Sequence, residues 1–149
     1  MATDKILIVD DDPVTVKMVV AALQTLDCTV KTAGSGEAAI DLVRHEPFDL
    51  VLLDLFLDDC SGIDVLRSVR TLNPNIAVVM LTAHGSMGSA IEALRLGAVD
   101  YLVKPFQPSE LRERVQVLLS QRARVMQTAS PAVVGGPTSN PLPVRAKPA

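Results

Sequence analysis

Two kinds of hydrophobic pattern alternate along most of the chain. Five short runs are rich in aliphatic and β-branched residues, a composition typical of β-strands. These runs cover residues 5–9, 29–33, 49–53, 76–80 and 100–103. The intervals between them carry apolar residues at helical spacing, such as Val16, Val19, Val20 and Leu23 in the first interval and Leu111, Val115, Leu118 and Leu119 after the last run. The pattern therefore predicts five strands and five helices in alternation.

This alternation predicts an α/β fold built on a doubly wound parallel sheet. Successive right-handed βαβ units place helices on both faces of such a sheet. The third and fourth runs are almost entirely apolar, as expected of strands buried on both faces. Pro13, Ser61 and Pro108 suit helix starts, and Gly97 suits a helix end. Ligands of these sheets bind beyond the carboxyl ends of the strands, where we therefore expect the chemistry.

Polar residues stand at four of those strand ends. They are the acidic residues Asp10, Asp11 and Asp12, then Asp54, the pair Thr82-Ala83, and the pair Lys104-Pro105. Carboxylates that lie close together raise one another's pKa and coexist best around a cation. Oxygen ligands favour a hard cation, and a partly hydrated octahedral site suits Mg²⁺ or Mn²⁺. A cation, a lysine and a hydroxyl around an open position suit a phosphoryl group, and a carboxylate there can become an aspartyl phosphate.

Each of these residues also has a purely structural explanation. Asp12 suits the N-cap of the first helix, because acidic groups are favourable at helix N-termini. Asp54 could be a loop acid, and Lys104 could be an ordinary solvated lysine. Their joint occurrence at successive strand ends favours a shared site.

The composition restricts the class of protein. The chain has 149 residues, of which 48% are hydrophobic, enough for one domain with a packed core. Its net charge of −3 and its lack of Trp argue against nucleic-acid binding. No aliphatic run approaches the about 20 residues of a membrane-spanning helix, and the N-terminus lacks a signal-peptide pattern. We expect a cytoplasmic protein that binds neither nucleic acid nor membrane.

The composition changes at residue 128. Residues 128–149 contain five prolines and two adjacent glycines and have no apolar periodicity. We expect one domain over residues 1–127, followed by a Pro/Ala-rich flexible tail or truncated linker over 128–149.

Four motifs, in order and at matching spacing, resemble the receiver domain of two-component response regulators, the CheY-like superfamily. They are ILIVDDDP at residues 6–13, LLDLFLDDCSG at 52–62, LTAHG at 81–85 and DYLVKPF at 100–106. The resemblance covers residues 4 to about 124 and implies a flavodoxin-like five-stranded sheet of order 2-1-3-4-5.

The resemblance implies that Asp54 is the phospho-acceptor. It also implies that Asp10, Asp11, Asp54 and the backbone carbonyl of Phe56 hold Mg²⁺. Two positions of this sequence have consequences of their own within the family pattern. Asp58 stands where the family usually has proline, which makes the loop more acidic. The bulky Phe56 flanks the path of attacking water, so we expect a long-lived phosphoryl group.

Further roles follow from the resemblance for residues of the fourth and fifth strands. Thr82 would hydrogen-bond the phosphoryl group, and Lys104 would pair with it. Ala83 would be small enough to leave access. Tyr101 would swing inward when Thr82 moves, and the Lys104-Pro105 bond would be cis.

The implied function is a phosphorylation-activated signalling switch that is not an enzyme in the ordinary sense, although it promotes its own phosphorylation and dephosphorylation. A sensor histidine kinase or a phosphotransfer protein would supply the phosphoryl group. The surface of the fourth helix, fifth strand and fifth helix would then control a downstream protein or self-association.

Two alternatives remain open. The fold could serve as a phosphorylation-independent binding module. The segment 10–14 also fits the signature of haloacid-dehalogenase-like phosphatases, in which Asp10 would be the nucleophile and Asp12 the acid/base. The later acid pair of that family should follow the lysine, and here Asp58-Asp59 precedes Thr82.

Overall fold

The computed structural model describes residues 3–83 and 87–132, and their side chains as far as residue 123. Strands and helices alternate along it as predicted. The elements are β1 (Asp4–Val9), α1 (Pro13–Leu23), β2 (Cys28–Ala33), α2 (Gly36–His45), β3 (Leu50–Asp54), α3 (Gly62–Leu72), β4 (Ala77–Ala83), α4 (Met87–Arg95), β5 (Asp100–Lys104) and α5 (Pro108–Ala132).

The chain divides into two compact units, Met1–Gln116 and Val117–Ala149. The first unit contains the sheet, α1 to α4 and the start of α5. In the second unit the structure describes helical residues up to Ala132. The domain boundary predicted at residue 127 falls within α5, and it stays a prediction because most of segment 128–149 lies outside the described residues.

All five strands form one parallel sheet in the order β2-β1-β3-β4-β5. The predicted fold class and strand order are therefore confirmed. Val9 is level with both Ala33 and Leu53, and Thr82 is level with Val103. This register brings the carboxyl ends of the central strands to one edge of the sheet.

Both faces of the sheet are buried. Alternate strand residues, including Val9, Leu53 and Met80, form one hydrophobic cluster with buried residues of α2, α3 and α4. The intervening residues, such as Ile8 and Leu52, are fully buried outside that cluster. The buried residues of α1 and of the start of α5 also lie outside it, which assigns these helices to the opposite layer.

Local signals define the helix ends that position the site. Asp12 caps α1 by accepting hydrogen bonds from the N–H of Val14 and the hydroxyl of Thr15. Ser61 caps α3 as predicted, and its hydroxyl accepts a hydrogen bond from the N–H of Ile63. Gly97 adopts a φ of 111° just after α4, a conformation that favours glycine. Among the described residues, no helix is long and apolar enough to cross a membrane.

Candidate functional site

Three carboxylates converge at the carboxyl edge of the sheet. Asp10 follows β1 and Asp54 ends β3, and these strands are neighbours. Asp10, Asp11 and Asp54 each offer an oxygen, and these oxygens all lie within 4.8 Å of one another. Asp10 is 2% exposed and Asp54 is 7% exposed. The predicted convergence of the acidic residues is thus present in the structure.

Lys104 brings one positive charge to the buried acids from the end of β5. Its ammonium group donates a hydrogen bond to Oδ2 of Asp10 at 2.8 Å and lies 3.6 Å from Oδ1 of Asp54. The bond between Lys104 and Pro105 is cis, as the resemblance implied. Lys104 is therefore a partner of the cluster and not a solvated surface lysine.

The backbone orients the two buried carboxylates locally. Oδ1 of Asp10 accepts a hydrogen bond from the N–H of Asp12 at 2.9 Å, and Oδ1 of Asp54 accepts one from the N–H of Phe56 at 3.3 Å. In each case the donor lies two residues after the acid. These bonds hold one oxygen of each carboxylate and leave the other oxygen for a further partner.

The electrostatics of the cluster favour a cation. Burial raises the pKa of Asp54 to about 6, the charge of Lys104 acts in the opposite direction, and the charge of Asp10 adds to the increase. Burial alone would lower the pKa of Lys104, but its hydrogen bond to Asp10 and the charge of Asp54 outweigh burial and raise it. The cluster thus has three carboxylates and one ammonium group, which contacts two of them, and the carboxylate oxygens suit a hard divalent cation such as Mg²⁺.

Phe56 occupies the rim of the cluster. Its side chain is 58% exposed, and its backbone forms an isolated bridge with Ser61. Among the described residues the carbonyl oxygen of Phe56 accepts no hydrogen bond. That oxygen is therefore free for the ligand role that the resemblance implied.

Thr82 and Tyr101 lie on the other side of the sheet from Asp54 and Lys104. Asp54 is level with Leu81, whereas Thr82 is the next residue and faces the opposite layer. Thr82 is fully buried, and its hydroxyl donates to the carbonyl of Ala83 at 3.3 Å. Within the described residues it has no hydrogen bond to Asp54 or Lys104.

Tyr101 shares the face of Thr82 because it is level with Met80, two residues before it. The ring of Tyr101 is half-buried and packs against the hydrophobic cluster. Ala83 is exposed at the end of β4, where a small residue leaves access to the edge of the sheet. The roles predicted for these residues in switching stay predictions.

Two residues of the loop between β3 and α3 contribute contacts that the sequence did not predict. The N–H of Asp58 donates to Oδ2 of Asp11 at 2.9 Å. The carboxylate of Asp59 accepts hydrogen bonds from the N–H groups of Gly36 and Glu37 at the start of α2, at 2.9 and 3.1 Å. Both contacts join segments far apart in the chain, so no local spacing could have indicated them.

Gly62 fixes the same loop against the end of β3. Its N–H donates to the carbonyl of Leu55 at 2.7 Å. A Cβ at this position would collide with the carbonyl oxygen of Asp54. Glycine is therefore required for α3 to begin this close to the end of β3.

Comparison with known sequences identifies the family. Residues 6–116 match the family model described as the response regulator receiver domain. The chain is 41% identical over 114 residues to the probable transcriptional regulatory protein TcrX of Mycobacterium tuberculosis, covering 76% of this chain and 49% of that protein. It is 38% identical over 122 residues to the response regulator protein PilR of Pseudomonas aeruginosa, covering 82% of this chain and 27% of PilR. The chain thus spans half or less of the length of these relatives.

Solved structures give the same result. A receiver domain protein (CheY-like) from Methanospirillum hungatei is 27% identical, with a TM-score of 0.79 over 83% of this chain and 99% of that one. The receiver domain of a putative LuxO repressor from Vibrio parahaemolyticus is 26% identical, with a TM-score of 0.80 over 85% of this chain and 98% of that one. From the matched motifs, the fold and these relatives together, we conclude that the chain belongs to the response regulator receiver domain family of two-component systems.

Proposed function

We propose that this chain is a phosphorylation-controlled switch whose acceptor is Asp54. The observation that carries the proposal is the cluster of Asp10, Asp11 and Asp54 beside the ammonium group of Lys104. Asp54 stands at the centre of the sheet edge, with one oxygen held by a backbone N–H and the other available as a nucleophile.

The proposed donor is a phosphohistidine on a sensor histidine kinase or a phosphotransfer protein. The Asp54 carboxylate attacks phosphorus in line, so that a new P–O bond forms while the P–N bond to the histidine breaks and its electron pair returns to the imidazole. Lys104 is near enough to Asp54 to pair with the phosphoryl oxygens. Asp10, Asp11, Asp54 and the carbonyl of Phe56 would hold Mg²⁺, which neutralises phosphoryl charge when bound.

Open space borders the partners of Asp54 on two sides. A cavity of about 410 Å³ lies against Asp10, Asp11 and α1, and another of about 350 Å³ lies against Lys104 and Phe106. Asp54 itself lines neither cavity.

The output surface that we propose consists of α4, β5 and the start of α5. It carries the exposed apolar side chains of Met87, Ile91 and Leu94 on α4 and Val99 just before β5. Thr82 and Tyr101 lie in the layer of the sheet that α4 covers. We propose that phosphorylation of Asp54 repositions Thr82 and Tyr101 and so changes this surface, which then binds a downstream protein or a second copy.

The test is phosphorylation of the purified chain with acetyl phosphate and Mg²⁺, beside Asp54→Asn. We expect one phosphoryl adduct by intact mass in the parent, none in Asp54→Asn, and none in the parent with EDTA. An adduct that maps to Asp10 would instead support the phosphatase alternative. No adduct with either acetyl phosphate or a phosphohistidine donor would support the binding-module alternative. Size-exclusion chromatography of the same samples would distinguish self-association from a separate target.

A further inference from the structure

We propose that the backbone N–H of Asp58 positions the Asp11 carboxylate for cation binding, so that the residue type at position 58 sets the affinity of the acidic cluster for a divalent cation. Asp58 is thus a positioning residue, and it touches neither the acceptor Asp54 nor Lys104. The inference rests on the proposed function in one respect: the cation concerned is the one that phosphotransfer would use.

The geometry distinguishes Asp11 from the other two acids. Asp10 and Asp54 each accept a hydrogen bond from the N–H two residues later, an arrangement that their own segments supply. Asp11 instead accepts at 2.9 Å from the N–H of Asp58, which is 47 residues away in the loop after β3. The carboxyl group of Asp58 also contacts the Asp11 carboxylate, and this contact raises the pKa of Asp58.

This hydrogen bond restricts an otherwise mobile group. Asp11 is half-exposed, whereas Asp10 and Asp54 are buried, so packing alone holds its side chain less firmly. The bond to Asp58 engages Oδ2 and leaves Oδ1 for a cation. Ordering the carboxylate before the cation arrives removes part of the entropy cost of binding.

The residue type at position 58 matters because proline there would remove the N–H that donates to Asp11. Proline has no N–H and could not make this bond. The family pattern that the sequence resembles usually has proline here, and this chain has Asp58. The structure therefore gives Asp11 a partner that a sequence following the usual pattern lacks.

Three variants separate the N–H of Asp58 from its negative charge. Asp58→Asn removes the charge and keeps the shape and the N–H. Asp58→Ala also keeps the N–H, and Asp58→Pro removes it. The comparison that tests the proposal is Asp58→Pro against Asp58→Ala, because neither variant carries the charge.

The measurement is Mg²⁺ affinity of the full chain, from titrations followed by amide chemical shifts without any phosphodonor. We expect Asp58→Ala and Asp58→Asn to have similar affinities and Asp58→Pro to bind about tenfold more weakly, the size typical of losing a partner of a metal ligand. In an Asp11→Ala background the difference between Pro and Ala at position 58 should vanish. Equal affinities for Asp58→Pro and Asp58→Ala, or a difference that persists without the Asp11 carboxylate, would overturn the proposal.

A second measurement does not depend on how well Asp58→Pro folds. The amide hydrogen of Asp58 should exchange with solvent at least severalfold faster in Asp11→Ala than in the parent, and an unchanged exchange rate would also overturn the proposal. Because both measurements use Mg²⁺ or no metal at all, they are independent of phosphorylation. If the Mg²⁺ affinities of the variants follow the expected order and Asp54 still acquires no phosphoryl adduct, the proposed function is contradicted and this inference is not.

Discussion

Replacing Asp54 with Asn should stabilise the metal-free protein at neutral and alkaline pH. The Asp54 side chain is only 10% exposed, and burial raises its pKa from 3.8 to about 6. Above pH 6 the folded state therefore contains an ionised group that would be better solvated in the unfolded chain. A pKa difference of about two units corresponds to a cost of about 3 kcal/mol, which is an upper limit for what Asn can recover.

The sign follows from proton binding. Between pH 4 and pH 6, roughly, the folded protein keeps the Asp54 proton that the unfolded chain has already lost. The contribution of this group to stability is therefore greatest at or below about pH 4, falls as the pH rises to about 6, and stays low above that value. We expect the advantage of Asp54→Asn to be small near pH 4 and to reach about 1–3 kcal/mol near pH 8.

The assay is urea unfolding in EDTA, followed by circular dichroism and analysed by linear extrapolation with an unchanged m-value. Saturating Mg²⁺ should reduce or reverse the difference, since it binds the folded parent more tightly than the variant. Equal stabilities of parent and variant at pH 8, or a variant that is less stable there in EDTA, would refute the electrostatic account of the site.

Three further predictions concern the same edge of the sheet. Lys104→Met should lower the free energy of unfolding in EDTA by about 2–4 kcal/mol, because a buried carboxylate loses its partner. Added Mg²⁺ should restore part of this loss, and urea unfolding with EDTA and with Mg²⁺ checks both expectations. Gly62→Ala should lower the free energy of unfolding by about 1–3 kcal/mol in the same assay, whereas Gly88→Ala, whose Cβ meets nothing within 4 Å, should not lower it. Similar losses of stability at both positions would contradict the argument that backbone lies too close to Gly62 for a Cβ. Phe56→Asn should speed loss of the phosphoryl group, measured by intact mass over time. Leu72→Asn, at an exposed apolar position on α3, should leave the rate unchanged. An unchanged rate in Phe56→Asn would contradict the shielding role of the ring.

The sequence was sufficient to predict the fold because its signals are local. Strand runs and helical faces each arise from neighbouring residues, and a parallel sheet follows from their alternation. The convergence of Asp10, Asp54 and Lys104 could also be predicted, because parallel strands bring their carboxyl ends to one edge whatever the details of packing. The strand limits differ from the apolar runs that predicted them: β4 runs from Ala77 to Ala83, whereas the run covered residues 76–80.

The contacts of Asp58 and Asp59 could not be predicted from sequence. Each depends on the path of the loop after β3 and on where that loop meets another segment, which no periodicity encodes. The pairing of Lys104 with Asp10 in preference to Asp54 likewise depends on distances of a fraction of an ångström. Local pattern identified the participants, and tertiary geometry decided their partners.

The alternation of side chains across the sheet separates two tasks of the molecule. Asp54 and Lys104 stand in the layer that contains α1, and Thr82 and Tyr101 stand in the layer that contains α4. If Asp54 is the phospho-acceptor, as proposed above, a change at Asp54 must therefore be transmitted across the plane of the sheet, either around the end of β4 or through its backbone. Thr82 is placed at that crossing, one residue from the strand end. In that proposal the sheet separates the groups that would react from the surface that would respond, and β4 is the element that both sides share.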